Sequence, residues 1–168
     1  DNEGYTALMW ASYMGHLPIV NILLNAGAQV NAIDNDNMTS IMMASRNNHI
    51  DVVKALLSKK ADIKLRSKYG ETAFIYASKS GNLDIVELLL SEGADINEAD
   101  YQGTTALMYA SVRGEIDVVK FLLEKGANFK LEDYENKTAL DLTQNELNDD
   151  EHDQYGKNNN RAKIIEIL

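Results

Sequence analysis

Set out in rows of 33, the apolar residues of this chain fall into columns. The segment TALMWASYMG at 6–15 returns as TALMYASVRG at 105–114. Units 1–33, 34–66, 67–99 and 100–132 keep one plan, and an irregular unit occupies 133–168. Each full unit opens on polar residues (DNEG, DNDN, SKYG, DYQG), reaches a threonine, and continues into a run rich in small residues such as TAFIYASKS. A glycine or asparagine breaks that run. A second, more apolar run such as LDIVELLLSEG follows, and a short extended piece such as ADINEA ends the unit. A fixed period of this length predicts stacked copies of one helix–turn–helix unit.

Thr6, Thr39, Thr72, Thr105 and Thr138 each precede the first run. A hydroxyl there accepts a bond from an unpaired N–H at the helix start, worth about 1 kcal/mol. Behind these caps stand Leu8, Ile41, Phe74, Leu107 and Leu140, with Ala11, Ala44, Ala77 and Ala110 three positions on. That spacing builds one buried face whose small members let a neighbouring helix approach closely. The second run carries larger side chains: Ile19, Val20, Leu23 and Leu24, recurring as Val52, Val53, Leu56 and Leu57, and again in the next two units. Helices this short are unstable alone, so they must pair, and each pair must stack on its neighbour.

Gly15, Gly81 and Gly114 recur between the two runs, and Gly27, Gly93 and Gly126 follow the second. The second unit has Asn48 and Lys60 there, and Asn37 where Gly4, Gly70 and Gly103 stand. Lysine tolerates a left-handed backbone poorly, so 34–66 is expected to be the locally weakest unit. The last unit begins as DYENKTALDLT and ends as KIIEIL. Aligning Ile164 with Ile85 leaves an acidic, Asn-rich insertion near 144–162, expected to be a solvated loop.

Two stretches carry a resemblance. DNEGYTALMWASYMGHLPIVNILLNAGAQVN and YQGTTALMYASVRGEIDVVKFLLEKGANF follow the pattern D-x-x-G-x-T-P-L-H, A-A-x-x-G-H, V-V-x-L-L-L-x-x-G-A-D-V-N, and the chain resembles the ankyrin-repeat family over essentially its whole length. The resemblance implies one all-α domain over 1–168 with β-hairpin-like connecting loops: an ankyrin-repeat solenoid of four full 33-residue repeats plus an irregular fifth. Two departures are systematic. The family's proline is Ala7, Ser40, Ala73, Ala106 or Ala139, and its histidine is Met9, Met42, Ile75, Met108 or Asp141. Loss of that histidine is expected to replace a Thr–His hydrogen bond with apolar packing. The family also includes substrates of asparaginyl hydroxylation, and the matching residues are Asn31 and Asn97.

In that family the first helices line a concave side. Trp10, Met43, Tyr76 and Tyr109 lie one residue, about 100 degrees, from the buried alanine, and so form a ladder along this side. Its flanks include Tyr13, Met14, Arg46, Lys79 and Arg113, and the hairpin tips bring Tyr5, Met38, Arg66, Lys68, Tyr69, Tyr101 and Tyr134. Tyrosine, tryptophan, arginine and methionine are the residues enriched at interface centres. These sixteen are the expected contacts for a partner; the alternative for each rung is packing on its neighbours within the stack.

Composition narrows the function. A net charge of −10 opposes broad binding to nucleic acid or anionic membranes, so neither is expected as a partner. No cysteine is present, which removes disulfides, thiol nucleophiles and sulfur-ligated zinc and fits a cytoplasmic setting; secretion into a host cell stays open. No apolar run approaches the roughly 20 residues of a membrane helix. Phosphate-loop, H-E-x-x-H and G-x-S-x-G motifs are all missing, and no cofactor, metal or catalytic residue is expected. His16 and His49 lie one unit apart, about 10 Å, too far to share a metal and suited to a structural place at the helix turn. Acids at 149–153 only faintly resemble a calcium loop, and the sequons at Asn37 and Asn136 read as turn residues. The expected function is a non-enzymatic, monomeric scaffold that binds a protein or peptide through its concave groove and hairpin tips. A recruitment region of a larger enzyme or secreted effector, and a spacer without a ligand, are the alternatives.

Overall fold

The computed structural model describes residues 3–149 and 157–168. Helices come in pairs, one pair per unit: α1 (Ala7–Tyr13) and α2 (Leu17–Asn25), α3 (Ser40–Arg46) and α4 (Ile50–Ser58), α5 (Ala73–Lys79) and α6 (Leu83–Ser91), α7 (Ala106–Val112) and α8 (Ile116–Glu124), α9 (Ala139–Asp149) and α10 (Asn158–Ile167). The odd-numbered helices stack side by side in one layer, and the even-numbered ones form a second behind them. Segments 33 residues apart therefore occupy like environments, as the columns predict. Among the described residues there is no sheet; the connecting loops are tight turns with one isolated antiparallel bridge, Ala99 to Thr105.

All five threonine caps form. Each Oγ1 accepts the backbone N–H three residues on, from Met9 at 3.2 Å, Met42 at 3.4 Å, and Ile75, Met108 and Asp141 at 3.3 Å. The expected loss of polar contact where the family has histidine is only partial. Met9 and Met108 turn their sulfur atoms back to accept the N–H of Thr6 and Thr105, at 3.4 and 3.3 Å, and Asp141 closes the same box with its carboxylate. A polarisable thioether can act as a weak acceptor where no better one is present.

The core repeats with the columns. Leu8, Ile41, Phe74 and Leu107 are buried, as are Val20, Val53, Val86 and Val119. Full burial of a side chain such as Leu56 contributes about 2 kcal/mol, and every full unit supplies several. The expected pattern fails at both ends of the stack. Ile19 is 48% exposed although its equivalents Val52, Ile85 and Val118 are buried, because among the described residues no unit packs on its outer side; Leu140 is exposed at the other end of the described stack for the same reason.

Polar groups lock the units together. An acceptor at one position of each turn, Asp34, Ser67, Asp100 or Asp133, takes two backbone N–H groups of its own loop. Each tip then donates to the tip before it: Lys68 N–H to the Asp36 carbonyl at 2.8 Å, Tyr101 to Tyr69 at 3.0 Å, Tyr134 to Gln102 at 2.9 Å. The Tyr101 ring lies over Gly70, whose φ is +86° and where an added Cβ would fall 2.6 Å from the Tyr101 nitrogen, so only glycine fits. At the other side of the stack His49 Nε2 bonds the Tyr13 carbonyl at 2.9 Å, a structural place, and Asn82 does the same to Ser45 at 2.6 Å. Asn31 and Asn97 accept N–H bonds from Asp62 and Asn128 of the following unit, both at 2.8 Å.

Asn37, Asn48 and Lys60 adopt φ of 56°, 60° and 63°, the left-handed backbone that the second unit's missing glycines predict. The insertion near 144–162 is mostly not a loop. Residues through Asp149 belong to α9 and α10 starts at Asn158; residues 150–156, with all of the calcium-like acids but Asp149, lie outside the described residues. The start of α10 docks on the α7–α8 turn through Asn160 to the Gly114 carbonyl at 3.0 Å and Arg161 Nε to the Val112 carbonyl at 2.8 Å. No helix is long and apolar enough to cross a membrane.

Candidate functional site

The odd-numbered helices and the hairpin tips face one another across a groove with two adjoining depressions. The smaller, about 150 Å³, is walled by Tyr5, Tyr13, Met38, Met43, Tyr69 and Tyr76, with Asp36, Arg46, Asn47 and Ser67 at its edge. The larger, about 550 Å³, lies one unit further along, between Arg46, Tyr69, Glu71, Tyr76, Lys79, Ser80, Tyr109 and Arg113. Ten of the sixteen predicted contacts thus come together: Tyr5, Tyr13, Met38, Met43, Arg46, Tyr69, Tyr76, Lys79, Tyr109 and Arg113.

Their openness is uneven. Met43 and Tyr76 are buried, at 3% and 7% exposure, so these two rungs are floor rather than free contacts, because the tips fold over them. Tyr109 is half-buried and its hydroxyl donates to Asp100 at 2.7 Å. Burial, reinforced by Glu71 beside Tyr76 and by Asp100 beside Tyr109, pushes both phenols above their ordinary range and keeps them neutral. Tyr109 therefore ties its first helix to its own hairpin while presenting ring surface to the groove.

Lys79 is committed inward. Its ammonium meets the buried Glu71 carboxylate at 2.8 Å and lies 4.4 Å from the centroid of the Tyr109 ring. Arg46 and Arg113 are exposed and enter no ion pair among the described residues. Asp36, which sequence reasoning missed, is held by Lys68 at 2.6 Å. Ser67, also missed, was visible as the unit-three counterpart of Asp34 and Asp100 in the 33-residue columns.

Six predicted contacts lie outside the two depressions. Trp10 is 46% exposed and joins Tyr5 and Tyr13 in an aromatic cluster with centroids 5.0 and 6.1 Å apart; Met14 stands exposed at the same end. Lys68, Tyr101 and Tyr134 are exposed on the tips. Arg66 is a strut, donating to the Gly70 and Ala99 carbonyls, both at 2.7 Å. It lines a separate depression with Glu98, whose carboxyl receives the Thr72 hydroxyl. Burial raises the Glu98 pKa, against the pull of that hydroxyl and of Arg66.

Among the described residues no group of three or more His, Asp or Glu is placed to hold a metal ion, and the groove has no nucleophile beside a base. What it offers is aromatic surface, two unpaired guanidinium groups and a rigid frame. A family model described as ankyrin repeats (three copies) matches residues 1–67 and 41–133. No curated protein matches the sequence.

Proposed function

The chain belongs to the ankyrin-repeat family, whose members are protein–protein interaction scaffolds without catalysis, and from that premise we propose that it holds a protein or peptide partner in the groove between its odd-numbered helices and hairpin tips. One observation carries this reading: the two exposed arginines and the ring faces of Tyr69 and Tyr109 converge on depressions whose walls are fixed by internal hydrogen bonds. Side chains already held in place lose little entropy when a partner arrives, so more of the contact energy appears as affinity. The outer helices carry a more open depression edged by Asp84 and Glu87, without aromatic side chains or arginine in its lining.

Site-specific photo-crosslinking tests it. A benzoylphenylalanine at Tyr69 or Ser80, in the groove, is expected to capture a partner saturably, whereas one at Lys54 on the outer layer is not. The purified partner should then bind Tyr69→Ala at least about 10-fold more weakly, the loss typical of a central aromatic contact. Tyr76→Ala is a poor probe because Tyr76 is packed into the frame. Capture at Lys54 alone, or unchanged affinity for Tyr69→Ala, removes the groove from the function.

A further inference from the structure

We propose that the groove selects an extended peptide segment with one Asp or Glu carboxylate placed three residues from one large apolar side chain; this rests on the groove reading above. The charge argument starts from an imbalance. The chain has 16 lysines and arginines against 26 acids, so a hollow of net positive charge runs against its overall sign. Yet Arg46 and Arg113 stand at the rim of one depression with no carboxylate partner among the described residues. Glu71 is the one acid lining it, and Lys79 already neutralises it at 2.8 Å. The depression thus carries about two uncompensated positive charges, and a concave wall of low dielectric concentrates their field.

The Tyr109 hydroxyl is spent on Asp100 and its ring already receives the Lys79 ammonium 4.4 Å from the centroid, so the two arginines are what this wall offers a charged ligand. Arginine pairs with a carboxylate through a planar fork of two N–H groups, a match a single point charge does not offer.

The smaller depression takes the apolar residue. At about 150 Å³ it has the volume of an apolar cavity that accepts a benzene-sized group. Its polar neighbours are satisfied internally: Asp36 by Lys68, the Asn47 amide by the Met43 carbonyl at 2.8 Å, and Ser67 by two backbone N–H groups of its loop. Apart from Arg46, which it shares with the larger depression, what remains facing inward is aromatic ring and thioether, which reward burial of a Leu, Ile or Phe side chain.

Spacing joins the two. The depressions are one unit apart, about 10 Å for packed helices. A segment in the extended polyproline II conformation advances about 3.1 Å per residue with three residues per turn, so side chains three apart lie on one face about 9 Å apart and fill both. A nucleic-acid strand fits less well: the chain's net charge of −10 repels a polyanion, and two free cations answer an isolated carboxylate rather than a run of phosphates.

The test is selection from a phage-displayed library of random peptides about twelve residues long, which reach about 40 Å when extended and so cover the groove. Peptides enriched on the wild-type chain are expected to share an apolar residue and an Asp or Glu three positions away, in either direction. A fluorescein-labelled peptide of the consensus should lose about 10-fold or more in affinity when Arg46 and Arg113 are both changed to Ala, or when its acid is changed to Lys. Its binding should weaken as salt rises from about 50 mM to about 500 mM, which screens exposed charges. Circular dichroism confirms that each variant stays folded. Enriched peptides that need Tyr69 but carry no acid, and ignore the arginines, overturn the charge assignment and leave the groove reading standing. Peptides that bind regardless of Tyr69 and of both arginines, a single-stranded oligonucleotide that competes for the groove more strongly than the consensus peptide, or no enrichment at all, count against both.

Discussion

Lys79 and Arg46 sit at equivalent places one unit apart, carry the same charge, and line the same groove, yet the structure gives them opposite roles. Changing Lys79 to Met keeps the stem and removes the ammonium. The cost follows from what the ammonium touches. Breaking a fully buried ion pair from one side costs about 3–5 kcal/mol, and an exposed one about 0–1 kcal/mol. Here the Glu71 side chain is 5% exposed and that of Lys79 28%. The pair lies between these limits, and stranding the carboxylate without its counter-charge costs about 2 kcal/mol. The ring contact with Tyr109 adds about 0.5 kcal/mol. For a chain of this size the sum lowers the melting temperature by about 7 °C.

Urea and thermal unfolding followed by circular dichroism measure this. Arg46→Met, which strands nothing, should stay within about 0.5 kcal/mol of wild type. Adding Glu71→Gln to Lys79→Met removes the unpaired charge and should recover about 1 kcal/mol, so the double-mutant cycle shows coupling. Equal effects of Lys79→Met and Arg46→Met, or a cycle with no coupling, would refute the division of the two residues into strut and free contact.

Two further outcomes are expected. Glu98→Gln should stabilise the chain at pH 7: the carboxyl pKa is raised in the fold, so wild type gains stability as pH falls and loses it as pH rises through the folded value. The advantage of the variant should vanish below the ordinary glutamate range, read as melting temperature against pH. Unit 34–66 should exchange its amide hydrogens faster than units 67–99 and 100–132. Lys60→Gly should slow that exchange and gain about 0.5 kcal/mol, the relief of a left-handed lysine less the extra freedom of an unfolded glycine and a lost charge at a helix end.

The fold was legible because its determinants are local and repeated. A threonine before each first helix, alanine at its centre and paired aliphatics on the second specify the stack without reference to distant contacts, and Val53, Val86 and Val119 are buried alike. Failures came where the period breaks. Ile19 and Leu140 keep the core residue type but lack a neighbour, and residues near 144–162 were read as loop because helix α9 there is polar on most sides. The groove was half legible. Position in the unit showed which residues face it, but not which are covered: Tyr76 and Tyr109 look identical in sequence, and the tips enclose one more than the other. The family histidine's replacement by methionine suggested lost hydrogen bonds, since sulfur is rarely counted as an acceptor; Met9 and Met108 use it as one.

Why Arg46 is left free can be read by comparing units. Glu71 pairs with Lys79 across eight residues of the same unit. The residue equivalent to Glu71 in the second unit is Met38, and in the fourth it is Thr104. Neither can neutralise a guanidinium, so Arg46, in the place of Lys79, has no carboxylate of its own unit to pair with, and Arg113, in the place of Ser80, gains none from Thr104. Supplying the missing carboxylate should therefore close the site. Met38→Glu places an acid where the third unit has one; a pair with Arg46 at this more open position adds about 0.5 kcal/mol of stability. It also removes half of the free positive charge and part of the apolar wall. An acidic peptide should bind it at least about 10-fold more weakly, whereas Met38→Gln, which alters the wall alike but adds no charge, should lose less. Equal losses for the two variants, measured by fluorescence anisotropy at low salt, would mean that the groove reads shape alone and that the unpaired arginine is incidental.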